Sequence, residues 1–162
     1  MLLASSNDAA IASQNEGWHF VDMMNQKAEA VGMISTNYAD ASGLDPKNVS
    51  TANDLFTLLK YIYTNKKPIF DILSLPKYTT TSDNQKKKHT WTNINWPMND
   101  KRLISGKAGY IDESKETFAG VFKVKLSEGE DRKVAIIVLK SESRENDVNN
   151  VIKYLEDTIV YG

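Results

Sequence analysis

The chain has 162 residues, 41% hydrophobic and 25% charged, enough apolar material for the core of one soluble domain. A formal net charge of -1 provides no basic field for nucleic acid, and no apolar run approaches the length of a membrane span. The absence of cysteine excludes disulfides and thiolate chemistry and suits an oxidising extracytoplasmic compartment; with only His19 and His89 as imidazoles, neither a metal site nor a cofactor is expected.

Met1, Leu2, Leu3 and Ala4 are too few to form a targeting signal before the sequence turns polar. They read as the last turn of an apolar helix, so residues 1–162 are expected to form a single but incomplete domain that begins inside a larger one. Ser5, Ser6, Asn7 and Asp8 then supply the loop and N-cap of the next helix, with Asp8 as the cap. Phe20, Met23, Met24, Lys27 and Val31 fall at helical spacing, predicting a helix from Trp18 to Val31 with Gly32 as its left-handed C-cap. Residues 33–49 read as an irregular connection. Ser50 or Thr51 caps a third helix whose stripe is Leu55, Leu58, Leu59 and Ile62, and which Lys67 and Pro68 end.

Residues 74–101 are polar and resemble a hairpin with its turn near Ser82 to Lys86, the lysine run forming a solvated turn. In TFAGVFKVKL, Phe118, Phe122, Val124 and Leu126 alternate with Ala119, Val121, Lys123 and Lys125, as in a strand with one buried face. Val134 to Leu139 is continuously apolar and predicts a central strand covered on both faces, joined to its predecessor through the turn SEGEDR. Val148, Val151, Ile152, Leu155 and Ile159 make a final amphipathic helix that packs on the sheet. The fold class is therefore α+β: a helical first half, then an antiparallel sheet with a C-terminal helix.

In SGKAGY, Lys107 stands between Gly106 and Gly109 at what reads as the end of a short strand. There the glycines would let a substrate backbone lie along the strand while the ammonium reaches into a cleft. Ser5-Ser6-Asn7 fits a Ser-x-Asn element, as do Ser13-Gln14-Asn15, Ser35-Thr36-Asn37 and Ser82-Asp83-Asn84, and Lys107-Ala108-Gly109 nearly fits Lys-Thr-Gly. Together these resemble the second and third signatures of the active-site-serine penicillin-binding proteins and class A β-lactamases. The text between is more specific. Met24-Asn25-x-Lys27-Ala28, Gly32-Met33-x-x-Thr36, Gly43-Leu44-Asp45, STANDL, the asparagines before SGKAGY, FAG and Arg144 resemble, in order, the D-alanyl-D-alanine carboxypeptidases of the low-molecular-weight penicillin-binding proteins, serine peptidase family S11.

That resemblance implies a β-lactamase/transpeptidase-like fold in the bacterial cell envelope, outside the cytoplasm. It also implies a serine-type carboxypeptidase acting on peptidoglycan stem peptides that end in D-Ala-D-Ala, with β-lactams as mimics in the complete domain. Carried onto this chain, Ser5 relays protons to the leaving amine, Asn7 holds substrate backbone or the base lysine, and Lys107 supplies positive charge beside Ser5. Ala108, Gly109, Tyr110 and Arg144 are the substrate-binding positions, Arg144 through its planar fork and Tyr110 at the cleft mouth.

Two departures qualify the expectation. The family's Ser-x-x-Lys, which holds nucleophile and base, belongs upstream of Ser-x-Asn. The only match here is Ser74-Leu75-Pro76-Lys77, where proline prevents one helical face from presenting both residues. The chain alone is thus expected to be inactive, unless a complementing N-terminal segment or a swapped copy covers its open edge. Ala108 replaces the family's threonine and removes a donor to the substrate carboxylate. A non-catalytic cell-wall-binding or scaffold module of the same fold is the alternative, and a β-lactamase-like hydrolase ranks behind it. His19, His89, Trp18, Trp91 and Trp96 are expected to serve packing or surface roles.

Overall fold

The computed structural model describes residues 1–15, 19–81, 87–95, 100–126, 129 and 131–159. The chain enters through a non-helical turn at residues 2–4 rather than the expected helical one; Leu3 is buried and its carbonyl accepts from the Ile94 N–H at 3.1 Å. Helix α1, Asn7–Asn15, is capped by Ser6, whose Oγ accepts from the Ala9 N–H at 3.2 Å. Asp8 is therefore not the cap. It lies in the first turn, where the helix dipole favours its charge.

Helix α2, Phe20–Ala30, is shorter at both ends than the periodicity predicts, and Trp18 lies outside the described residues. Gly32 takes φ 90°, the left-handed geometry expected of it, and the Gly32 and Met33 N–H groups close the helix on Glu29 and Ala28. The following loop is held at both ends. Asn25 brackets the Tyr38 backbone, accepting from its N–H at 2.7 Å and donating to its carbonyl at 2.8 Å. Buried Asp54 accepts from the Ser35 N–H at 2.8 Å and the Thr36 hydroxyl at 2.7 Å.

Helix α3, Ala52–Asn65, is capped by Thr51. The chain does not leave helical structure at Lys67: a second short helix, α4, Lys67–Leu73, starts there, because proline at the first turn needs no hydrogen-bond donor. Strands β1, Lys77–Thr81, and β2, Lys88–Thr92, form the expected antiparallel hairpin; the expected turn at Ser82 to Lys86 lies outside the described residues.

Strands β3, Leu103–Ile111, β4, Lys115–Lys125, and β5, Asp131–Ser141, form an antiparallel sheet in the order β3-β4-β5. The Val134 to Leu139 run is therefore at an edge among the described strands, and β4 is central. Its continuous apolarity has another cause, since helices cover both faces of β5. Ile136 and Val138 join Phe118, Phe122 and Val124 beneath helix α5, Arg144–Thr158, while Ala119 and Leu139 face the groove beside α3. Within α5, Val148 and Ile152 are fully buried and Leu155 and Ile159 pack beside them, but Val151 is exposed.

Candidate active site

Lys107 is not at a strand end. It is the fifth residue of nine-residue β3, the edge strand that bounds a groove of about 720 Å³. Its Nζ donates to Ser5 Oγ at 2.7 Å and to the Ala108 carbonyl at 2.6 Å. Burial, and secondarily the Arg144 guanidinium, push the Lys107 ammonium below its ordinary pKa of 10.5. Ser5, in turn, is held at φ 47°, a conformation that non-glycine residues rarely adopt and that concentrates at functional sites.

The glycines flanking Lys107 do different work from that expected. Gly106 is buried and pairs with Gly120 of β4, and the Phe118 ring lies over both: a Cβ at either position would come within 2.6 Å of Phe118 Cζ. Gly106 thus makes room for the core, not for a peptide. Gly109 is exposed and its carbonyl accepts from Arg144 Nη1 at 2.9 Å. Arg144 opens α5; its backbone N–H donates to Glu116 Oε2 at 2.9 Å, and its Nη2 lies 3.8 Å from Glu116 Oε1.

Asn7, Ala108 and Tyr110 also line the groove, Asn7 from the first turn of α1. Tyr110 is 59% exposed and its hydroxyl donates to Asp112 at 2.9 Å. The structure therefore brings Ser5, Asn7, Lys107, Ala108, Gly109 and Tyr110 to one groove, with Arg144 bonded to its rim.

Three supports escaped sequence reasoning. Asn95, only 1% exposed, donates to the Leu2 carbonyl at 2.9 Å and accepts from the Ala108 N–H at 3.3 Å, joining the entry to Ser5 to the Lys107 strand. Its one available signal is Asn-x-Asn in TNINW; Asn93 of that pair anchors the Leu73 and Leu75 carbonyls. Glu116 is the second. Asp40 is the third: its carboxylate accepts from Ser42, Asn48 and the Gly43 and Leu44 N–H groups, shaping a loop whose residues 41–44 line the groove. Burial raises its pKa, yet those hydrogen bonds win and hold it at about 2.

Ser74 and Lys77 do not share a helical face: Ser74 is the C-cap of α4, donating to the Asp71 carbonyl at 2.8 Å, and Lys77 begins β1. Among the described residues no cluster of three or more histidine, aspartate or glutamate side chains could hold a metal. His19 sits exposed ahead of α2, and His89 and Trp91 stack in the hairpin; Trp96, like Trp18, lies outside the described residues.

Residues 1–143 match the family model of the D-alanyl-D-alanine carboxypeptidases. A D-alanyl-D-alanine endopeptidase of Haemophilus influenzae is 36% identical over 120 residues, 70% of this chain and 40% of that protein. The D-alanyl-D-alanine carboxypeptidase DacF of Bacillus subtilis is 28% identical over 166 residues, 95% of this chain and 39% of that protein. The chain thus spans about two fifths of these curated relatives. Penicillin-binding protein D2 of Listeria monocytogenes, solved in its cefotaxime-bound form, superposes with a TM-score of 0.73 at 32% identity, over 96% of this chain and 62% of that one.

Proposed function

The chain belongs to the D-alanyl-D-alanine carboxypeptidase family, and on that premise we propose that its groove is one wall of a serine acyl-transfer site for peptidoglycan stem peptides ending in D-Ala-D-Ala. The observation that carries this is the 2.7 Å hydrogen bond from Lys107 to Ser5 at the groove wall. When the peptide bond before the last D-Ala breaks, the leaving amine needs a proton. The Ser5 hydroxyl gives up its own and is reprotonated from the Lys107 ammonium, whose lowered pKa makes that transfer easier. Arg144, already turned to the Gly109 carbonyl, offers its fork to the terminal carboxylate, and Asn7 offers its amide to the peptide. Ala108 supplies no hydroxyl, so the carboxylate relies on Arg144 and is held more weakly, by about 1 kcal/mol for one lost hydrogen bond.

The nucleophile is assigned to a Ser-x-x-Lys outside these 162 residues, on a complementing N-terminal segment. Leu55, Leu58, Leu59 and Ile62 favour this: the α3 stripe is only half-buried and opens into the groove, a surface such a segment would cover. The place of action is the bacterial envelope outside the cytoplasm. A non-catalytic wall-binding module is the second reading, favoured by Ala108.

Intact mass after incubation with excess benzylpenicillin tests the assignment. The chain alone should gain no adduct, and a separately made N-terminal segment bearing Ser-x-x-Lys should restore stoichiometric labelling. An adduct on Ser5 or Ser74 of the chain alone refutes the nucleophile assignment. Binding of a D-Ala-D-Ala peptide without labelling in the complemented pair selects the wall-binding module, and no peptide binding in either state refutes the substrate.

A further inference from the structure

At the Gly109 end of the groove a carboxylate of the chain already faces Arg144, the cation assigned to the carboxylate of the substrate. Glu116 pairs with Tyr110 on β3 and with Ser141 on β5. The β4–β5 register slips beside it: Phe118 pairs with Val138 but Glu116 with Ser141, so β5 carries one extra residue there, and Lys140 within that bulge takes φ 54°. Irregularities of this kind re-aim the chain beside active sites. Here the bulge leads into Ser143, the N-cap of α5, whose N–H donates to the Ser141 hydroxyl at 3.0 Å, and the Arg144 N–H then meets Glu116 Oε2 at 2.9 Å.

Arg144 is held by two close contacts, its backbone N–H on Glu116 and its Nη1 on the Gly109 carbonyl at 2.9 Å, whereas its guanidinium meets the Glu116 carboxylate only at 3.8 Å. An uncharged acceptor of the same shape at position 116 would keep the first contact, and the Gly109 carbonyl would keep the guanidinium aimed. The charge of Glu116 does something else. The Glu116 and Arg144 side chains are 32% and 21% exposed, so water screens them only in part. A substrate carboxylate arriving at Arg144 therefore meets a like charge already drawing on the same cation. Ala108 acts in the same direction, because it offers that carboxylate no hydroxyl. Asp112 foremost, then Glu142 and Glu116, hold the Tyr110 hydroxyl above its ordinary pKa of 10.0, so negative charge extends across this end of the groove.

We propose that Glu116 is a specificity-determining residue of the groove: it shares Arg144 with the substrate and so lowers the preference for a free terminal carboxylate over a carboxyl group capped as an amide or continued by a further residue. The proposal rests on the substrate reading above.

The probes are a peptide ending in D-Ala-D-Ala as the free acid and the same peptide as its C-terminal amide, each titrated against the full chain, alone and complemented with the N-terminal segment. The quantity read is the ratio of the two affinities. Glu116→Gln keeps an acceptor for the Arg144 N–H and removes the charge; it should raise the acid-to-amide ratio by about threefold to fivefold, and the gain should shrink as salt is added. Its affinity for the amide should equal that of the parent. Glu142→Gln removes an exposed carboxylate from the same end without touching Arg144 and should leave the ratio within about 1.5-fold. A ratio in Glu116→Gln that stays level or falls overturns the proposal, as does a gain in Glu142→Gln as large as that in Glu116→Gln. Parallel weakening of both peptides in Glu116→Gln also overturns it, leaving Glu116 a purely structural support. Binding of neither peptide by the parent in either state overturns the substrate reading and the proposal with it, whereas binding of both with a ratio that Glu116→Gln does not move overturns the proposal alone.

Discussion

Replacing Gly106 by alanine tests what the glycine beside Lys107 is for. The added methyl would sit 2.6 Å from Phe118 Cζ and 2.9 Å from Cε2, where carbon atoms ordinarily stay about 3.5 to 4.0 Å apart. The ring has little room to retreat, because it is 1% exposed and lies as close against Gly120 on the paired strand as against Gly106. Relief has to come from a shift of β3 or an off-rotamer Phe118, which costs about 1 to 3 kcal/mol. For a chain of this size that lowers the melting temperature by roughly 3 to 10 °C. Phe118→Leu opens space at the same point, so Gly106→Ala in that background should cost at least about 1 kcal/mol less than alone. Calorimetry or urea unfolding of the four proteins measures the cycle. A Gly106→Ala chain that melts within about 1 °C of the parent, or strictly additive costs, would refute the packing account and return Gly106 to the role of clearance for a peptide.

Lys107→Met should alter the pH profile of stability. A lysine whose folded pKa lies below its ordinary 10.5 leaves the unfolded chain binding more protons between the two values, so the parent gains stability as pH rises through that window. The variant should lack this rise in unfolding curves taken as pH climbs toward 10.5, and a parallel slope would contradict the lowered pKa. Asp40 gives a rise of the same sign at the acid end of the scale: with a folded pKa of about 2 against an ordinary 3.8, its contribution is present above the unfolded value and lost as pH falls through the folded one. Asp40→Asn should cost about 1 kcal/mol at neutral pH after allowance for solvent screening, with the two proteins converging near pH 2 in acid titrations of stability. Asn95→Ala strips partners from the Leu2 carbonyl and the Ala108 N–H and should cost about 2 kcal/mol in urea unfolding. It should also weaken peptide binding in titration calorimetry, because Ser5 and Lys107 lose their common tie.

The elements most legible in the sequence were those whose signal is local. Gly32 at φ 90° and the cap at Thr51 follow from the chemistry of a few neighbouring residues. The alternation through Phe118, Phe122 and Val124 likewise records one buried face of a strand. Misreadings came where two local rules competed. Pro68 both ends one helix and begins the next, and a continuously apolar strand suggests a central position although helices can cover both faces of an edge strand. The candidate residues Ser5, Asn7 and Lys107 were named from signatures, yet nothing in the sequence put Glu116 against Arg144 or Asn95 between Leu2 and Ala108, because partners 28 and 93 positions apart leave no periodic trace.

By itself, then, the sequence determined the α+β class, the succession of a helical half and an antiparallel sheet closed by a helix, the family and the residue types that meet in the groove. Those properties depend on side-chain periodicity and short motifs, which are written along the chain. Tertiary structure alone decided that Lys107 lies mid-strand on an edge and bonds Ser5 across 102 positions. It also decided that Gly106 yields its space to Phe118, and that the lysine's charge is made costly by burial and by Arg144. Distance in space, dielectric surroundings and the volume left for a ring are set by packing, which no short stretch of sequence encodes.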